Sequence, residues 1–421
     1  MKKKKTIIFG IGVTILTIAV CGAVIYSYKT HKSSSEVIKS SKTEKPPSEP
    51  VAPPTKPPIN KNPPTSFPLN NIPTKREDIQ WKLTLEQRKA NKILLPKEEN
   101  TIIECLSSQV KIDKSQTFNF RKCFSMVPGV REIQGDTDEA LTLSTDQGKF
   151  FIRINDFSDL SRFEYEKESM LAINEVVPDM ALRPLVLGNL PEGGKFLVVN
   201  FIKSNWDDRL KIENVKALAR SLVQLHKKKS QTGKFGFQIG KNNQQKDNWA
   251  TFFYENRWQP LWKRVLEKYP QDKELKKWGT VIREKIIPEL LGNLPVEPVL
   301  IHGNLDFDSW DISSQTNQPW LFDAHCYYGH NEMDLSLIHY SVQELDWIGG
   351  KVPEGCEGEF SEPEFTEEYQ KYNSLLPGFE ERKTLYRLYY YLFRKFLLSC
   401  FETKWKEKIL TMMQKLGQKY N

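Results

Sequence analysis

The chain has 421 residues, room for one large domain or two ordinary ones, and its 39% hydrophobic and 27% charged content exclude a wholly disordered or polytopic protein. The net charge of +8 is unevenly placed: residues 1–77 hold 13 of the 61 basic and 4 of the 53 acidic residues, leaving 48 against 49 in the remainder. A near-neutral body gives no electrostatic footprint for DNA or RNA, so no nucleic-acid partner is expected.

The chain opens with a basic cluster at residues 1–5, followed by an uncharged run from Thr6 to Tyr28. Those 23 residues are long enough to span a bilayer as a helix, and a cleaved signal peptide would have a shorter apolar core. The reading is an uncleaved anchor over 6–28, with a signal or lipoprotein peptide ending near Cys21 as the alternative. Lys2 to Lys5 cluster tightly before the span while Lys29 and Lys32 follow it loosely, which leans toward a cytoplasmic N-terminus and a body outside the cytosol. Residues 29–78 read as a disordered linker: 11 of the 25 prolines fall within 46–73, where fixed φ and missing donors exclude helix and sheet.

Residues 79–421 read as one globular domain, with an N-lobe over about 105–203 and a C-lobe over about 204–421. Leu141–Ser144 and Lys149–Ile154 read as strands joined by a turn at Thr145–Gly148, and Glu164–Val176 has a helical period. Lys195–Ile202 is a further buried strand, and from Glu213 apolar residues recur at helical spacing through Leu218, Leu222 and Leu225. The expected fold class is α+β: a small antiparallel-sheet lobe followed by a larger helical one. The aromatic face of Tyr386, Tyr389, Tyr390 and Tyr391 reads as core. The six cysteines form no C-x-x-C pair, which argues against zinc.

Two stretches carry chemistry. In Val299-Leu-Ile-His-Gly-Asn-Leu-Asp-Phe-Asp-Ser-Trp310 an apolar strand runs into a polar loop, and a second apolar strand at Trp320 opens onto Asp323. Carboxylates at strand ends are placed to bind a metal that bridges nucleotide phosphates. A pair of acidic surface hairpins is the plain alternative.

These stretches resemble the fructosamine (ketosamine-3-) kinases within the kinase-like phosphotransferases. The family reads H-G-D-L-W-x-G-N, then a strand ending F-D-P-A-x-Y-Y-G-H-x-E-x-D-L, and Phe322–Leu335 is similar to the second part. Pro377–Tyr389 resembles a segment peculiar to this family, and Asn248–Phe253 leading to Arg257 resembles its middle. The resemblance covers roughly residues 105–412 and implies a two-lobed protein-kinase-like fold, ATP and Mg²⁺ as cofactors, and a ketoamine such as a glycated lysine or another small sugar amine as acceptor.

By the resemblance, Asn304 stands where the family has the general base, and a neutral amide is no useful proton acceptor; losing a positioned base costs about 10²–10⁴-fold. Ser309 stands at the second metal ligand, Arg153 at the phosphate-holding lysine, and Val127–Gly135 lacks the family's run of glycines. Glu166, the helix partner of that lysine, and Asp323, the principal metal ligand, are kept. Asp306 and Asp308 offer carboxylates near the lost base. Tyr327, Tyr328 and His330 fall on the family's substrate-side loop and either touch a sugar or pack the loop, while His302 either faces the same substrate or braces the backbone. The leading expectation is a membrane-anchored pseudokinase. An active ketoamine kinase and an anchored adaptor that binds a protein partner are the alternatives.

Overall fold

The computed structural model describes residues 94, 96–116, 118–123, 138–155, 161–191, 193–205, 208–240, 242–306, 309–338, 362–392 and 402–420. The expected anchor (6–28), the linker (29–78), the glycine-poor stretch Val127–Gly135 and Asp308 lie outside them. Among the described residues no helix is long and apolar enough to cross a membrane.

Helix α1 (Pro96–Ser107) precedes a five-stranded antiparallel sheet. Its strands are β1 (Asn119–Cys123), β2 (Asp138–Thr145), β3 (Gly148–Asn155), β4 (Pro184–Asn189) and β5 (Lys195–Asn200), in the order β1-β2-β3-β5-β4, with α2 (Ser161–Val176) between β3 and β4. Strand side chains alternate between faces. Leu141, Leu143, Phe150, Ile152, Ile154, Phe196 and Val198 therefore form one core with Ile102 and Leu106 of α1. Phe151, Leu197 and Val199 point the other way, into a core with Phe163, Met170 and Ile173 of α2. Arg153 shares their face, and so meets α2.

The second core continues into the helical lobe, where α3 (Ile212–Leu225) buries Val215, Leu218, Leu222 and Leu225. There follow α4 (Trp249–Phe253), a π-helical turn (Tyr254–Trp258), α5 (Gln259–Lys268), α6 (Lys273–Val281), a second π turn (Ile282–Ile286) and α7 (Ile287–Leu291). Four short strands come next: β6 (Val299–Ile301), β7 (Trp310–Ile312), β8 (Pro319–Leu321) and β9 (Tyr327–Gly329). The rest is α8 (Glu332–Leu337), α9 (Glu362–Gln370), α10 (Phe379–Tyr390) and α11 (Glu402–Lys419). Tyr386, Tyr390 and Tyr391 are core, as their spacing implied.

A buried ion pair joins α8 to α10. Arg382 grips Glu332 with two nitrogens, Nε to Oε2 at 2.6 Å and Nη2 to Oε1 at 2.7 Å, and donates to the carbonyls of Leu376 (2.9 Å) and Pro377 (2.7 Å). Both side chains are inaccessible to solvent, so removing one leaves a buried charge alone. Arg382→Ala is expected to lower the unfolding free energy by about 3–5 kcal/mol. Arg382→Lys should recover little of it, because an ammonium lacks the fork. Urea unfolding of the three proteins reads this directly.

Candidate active site

Two ladders bring the chemistry-bearing loops together. The β6–β9 register pairs Ile301 with Tyr327, and the β7–β8 register pairs Trp310 with Leu321. The loop 302–309 and the loop 322–326 are thus tied side by side at both ends. Further bonds stitch them between the ladders: His325 N–H donates to His302 O at 2.9 Å, and Phe322 N–H to Ser309 O at 3.0 Å. The strand-then-loop pattern seen in the sequence acquires its meaning here, since each loop is the other's neighbour.

The Asn304 amide donates from Nδ2 to the backbone carbonyl of Asp323 at 3.1 Å. Asp323 adopts φ +55°, a left-handed conformation that costs energy for a residue with a side chain and clusters at functional sites. Its carboxylate meets Arg153 across the lobes: Arg153 Nη1 lies 2.5 Å from Glu166 Oε1 and 3.4 Å from Asp323 Oδ1. Glu166 sits on the buried stripe of α2 with Phe163, Met170 and Ile173, which aims it at β3. Burial pushes the Glu166 carboxyl above its ordinary range, with Arg153 pulling in the opposite direction.

Asp306 is buried and turned into the helical lobe. Ser309 Oγ donates to its Oδ1 at 2.7 Å, and the Tyr390 hydroxyl of α10 donates to its Oδ2. Ser309 Oγ also sits 2.9 Å from the Asn304 carbonyl.

The residues placed on the substrate side have other surroundings. His302 is fully buried, accepts the Asn304 N–H on Nδ1 at 3.3 Å, and lies 3.0 Å from the Phe322 carbonyl through Nε2. That pattern puts its proton on Nε2, and burial lowers its pKa, so it braces the loop as an uncharged ring and has no surface for a sugar. His330 is likewise enclosed, with Nδ1 2.9 Å from the Tyr386 hydroxyl and burial holding its pKa well below the ordinary value. The Tyr327 ring lies under the Arg257 guanidinium, 4.0 Å from its carbon, and is buried. Tyr328 alone of the three on that strand and loop is half-exposed; its backbone pairs with Gly236.

The sequence reading assigned no role to Asp334. With 0% exposure, its carboxylate accepts from His302 N–H (2.7 Å) and Gly303 N–H (2.9 Å), and lies 3.2 Å from His226 Nε2. His226, at the C-terminal cap of α3, is buried and joins Asp334 to the Tyr369 hydroxyl.

Asp323 suits a hard divalent cation as a carboxylate ligand. Ser309 Oγ lies 2.7 Å from Asp306 Oδ1 and would offer a neutral hydroxyl oxygen in place of an amide oxygen. Among the described residues no three His, Cys, Asp or Glu side chains converge as a metal cage. Of the Mg²⁺ ligands implied by resemblance, the site has one carboxylate, Asp323, and a hydroxyl at Ser309.

Arg153→Met would leave Glu166 buried without its partner. The folded-state pKa of Glu166 is raised, so the native state holds a proton the unfolded chain releases, and stability falls as pH rises above the ordinary carboxyl range. The variant is expected to lose about 3–5 kcal/mol at neutral pH, with the deficit shrinking toward acidic pH as Glu166 protonates. Unfolding midpoints across pH check both the size and the sign.

A family model described as fructosamine kinase matches residues 111–419. The chloroplastic protein-ribulosamine 3-kinase of Arabidopsis thaliana is 30% identical over 256 residues, which is 59% of this chain and 71% of that protein. Ketosamine-3-kinase of Mus musculus is 26% identical over 294 residues, 61% of this chain and 85% of the relative. The crystal structure of a candidate fructosamine-3-kinase from Haemophilus somnus 129PT covers 77% of this chain and 97% of its own at 20% identity, with a TM-score of 0.56. That likeness gives the fold, an antiparallel sheet and helices arranged as in the kinase-like phosphotransferases.

Proposed function

The chain belongs to the fructosamine kinase family, and within it we propose a membrane-anchored member that binds ketoamines and is impaired in phosphoryl transfer. The observation that carries this reading is the Asn304 side chain, an amide at the family's base position whose Nδ2 is bonded to the Asp323 carbonyl at 3.1 Å. It can orient a hydroxyl but cannot take its proton. The neighbouring carboxylate that would replace it, Asp306, has both oxygens held by hydroxyl donors inside the helical lobe.

A second reading, an active ATP-dependent kinase, is favoured by one observation: Arg153, Glu166 and Asp323 stand assembled at the junction of sheet and helices. In that case Arg153 would steady the phosphates, Asp323 would carry Mg²⁺, and the Asn304 loop would face the acceptor hydroxyl. The adaptor reading uses the same surface for a protein partner without nucleotide.

Phosphate transfer from labelled ATP with Mg²⁺ to a fructosyl-lysine peptide separates them, run with the full chain in detergent beside Asn304→Asp. The expected result is no transfer above the protein-free control for the natural chain, and a gain of about 10²-fold or more over that background in the variant. Transfer by the natural chain would overturn the impaired-enzyme reading.

The anchor is supported by the 23 uncharged residues between Lys5 and Lys29, and the Lys2–Lys5 cluster supports a body outside the cytosol, where ATP is scarce. A C-terminal alkaline phosphatase fusion is expected to be active. A silent phosphatase with a fluorescent cytosolic reporter would instead place the body with ATP and favour the active kinase.

A further inference from the structure

We propose that the site takes the phosphates of a nucleoside triphosphate on the Arg153 guanidinium without requiring a divalent cation. The proposal rests on the placement of phosphates at Arg153 given above for the kinase reading, and applies whether or not phosphoryl transfer occurs.

In a kinase-type site a cation does two things: it offsets the carboxylates that face the phosphates, and it bridges phosphate oxygens to those carboxylates. Both tasks have changed here. The one carboxylate retained at the metal position, Asp323, has its Oδ1 3.4 Å from a nitrogen of Arg153, so a fixed protein cation already stands against it. The same nitrogen lies 2.5 Å from Glu166, which also holds the guanidinium in place. A lysine at that position would offer a compact point charge. The guanidinium spreads its charge over a planar fork shaped for oxyanions, so it can lie between the two carboxylates and still face phosphate.

The ligand set for the bridging task has shrunk as well. Asn304 carries no charge where the family has a carboxylate, so it neither attracts a cation nor repels a phosphate. Ser309 offers only a neutral hydroxyl, which donates to Asp306 at 2.7 Å. Asp306 is the nearest replacement, but to ligate a cation it would have to release both Ser309 and Tyr390 from a buried position. That leaves Asp323 as the one carboxylate for Mg²⁺, at the low end of the one or two such sites use, and Arg153 already lies against it.

The test is ATP binding to the full chain in detergent by isothermal titration calorimetry, once with EDTA and once with excess Mg²⁺, using the natural chain and Arg153→Lys. For the natural chain the two dissociation constants are expected to agree within about threefold, and Arg153→Lys to weaken binding in EDTA by about tenfold or more. The lysine variant keeps the charge facing Glu166, so loss of cation-free binding there reports the fork and not a failure to fold. Binding by the natural chain that needs Mg²⁺ overturns the proposal, as does no binding in either buffer. Neither result touches the impaired-transfer reading, which is decided by phosphate transfer alone.

Discussion

The buried carboxylate of Asp334 fixes the loop on which the rest of the site depends. An anion with no access to water costs several kcal/mol unless its oxygens are met by donors. Here two consecutive backbone N–H groups, from His302 and Gly303, converge on it. Bringing both to one carboxylate requires Gly303 at φ +75°, and a side chain there would stand 2.3 Å from the His325 carbonyl. The third donor is His226 Nε2, and its proton can be placed. The Tyr369 hydroxyl accepts from the amides of Asn331 and Asn373, so it gives its own proton to His226 Nδ1 and leaves Nε2–H for Asp334. Through this relay the loop bearing Asn304 is bolted to α3, α8 and α9 at once.

The parts of this arrangement that follow from periodicity were legible in the sequence. Alternation along β3 puts Arg153 on the opposite face from Phe150, Ile152 and Ile154, and the helical stripe of α2 puts Glu166 beside Phe163 and Met170. Their meeting needs no more than those two periods and a short connection. Asp334 was not legible, because an acid in the first turn of a helix reads as a solvated dipole partner. Nothing local says that the turn is buried under two other loops. The tyrosines show the same limit: spacing predicts that the rings of Tyr386 and Tyr390 are buried, but where each hydroxyl ends is decided by elements distant in sequence. Strand β4 contains Pro184 and Gly188, residue types that ordinarily interrupt strands. The proline begins the strand, where its missing N–H is tolerated, and the glycine makes room for the Phe196 ring on β5.

The family-specific Pro377–Arg382 segment has a plain physical basis. Gly378 takes φ +83° at the start of α10, and Arg382 returns to hold the carbonyls just before it while gripping Glu332. One side chain therefore closes the turn, orients the helix and neutralises a buried acid. The segment carries no chemistry of its own. It sets the position of α10, and with it the Tyr390 hydroxyl that reaches Asp306.

That last contact changes how the altered residues are to be understood. Substitutions that accumulate without constraint in a buried site leave donors and acceptors unmatched, each at about 1–3 kcal/mol. Here the changed positions match one another. Asn304 donates an amide proton to the Asp323 carbonyl, a contact that an ionised aspartate in the same place would turn into repulsion. Asp306 brings a carboxylate to the next turn of the loop, and Ser309, at the family's asparagine position, supplies one of the two hydroxyls that satisfy it. The negative charge at Asp306 faces the helical lobe, together with the donors it needs. A site matched in this way keeps its cationic fork while Asn304, Asp306 and Ser309 each have a bonded partner.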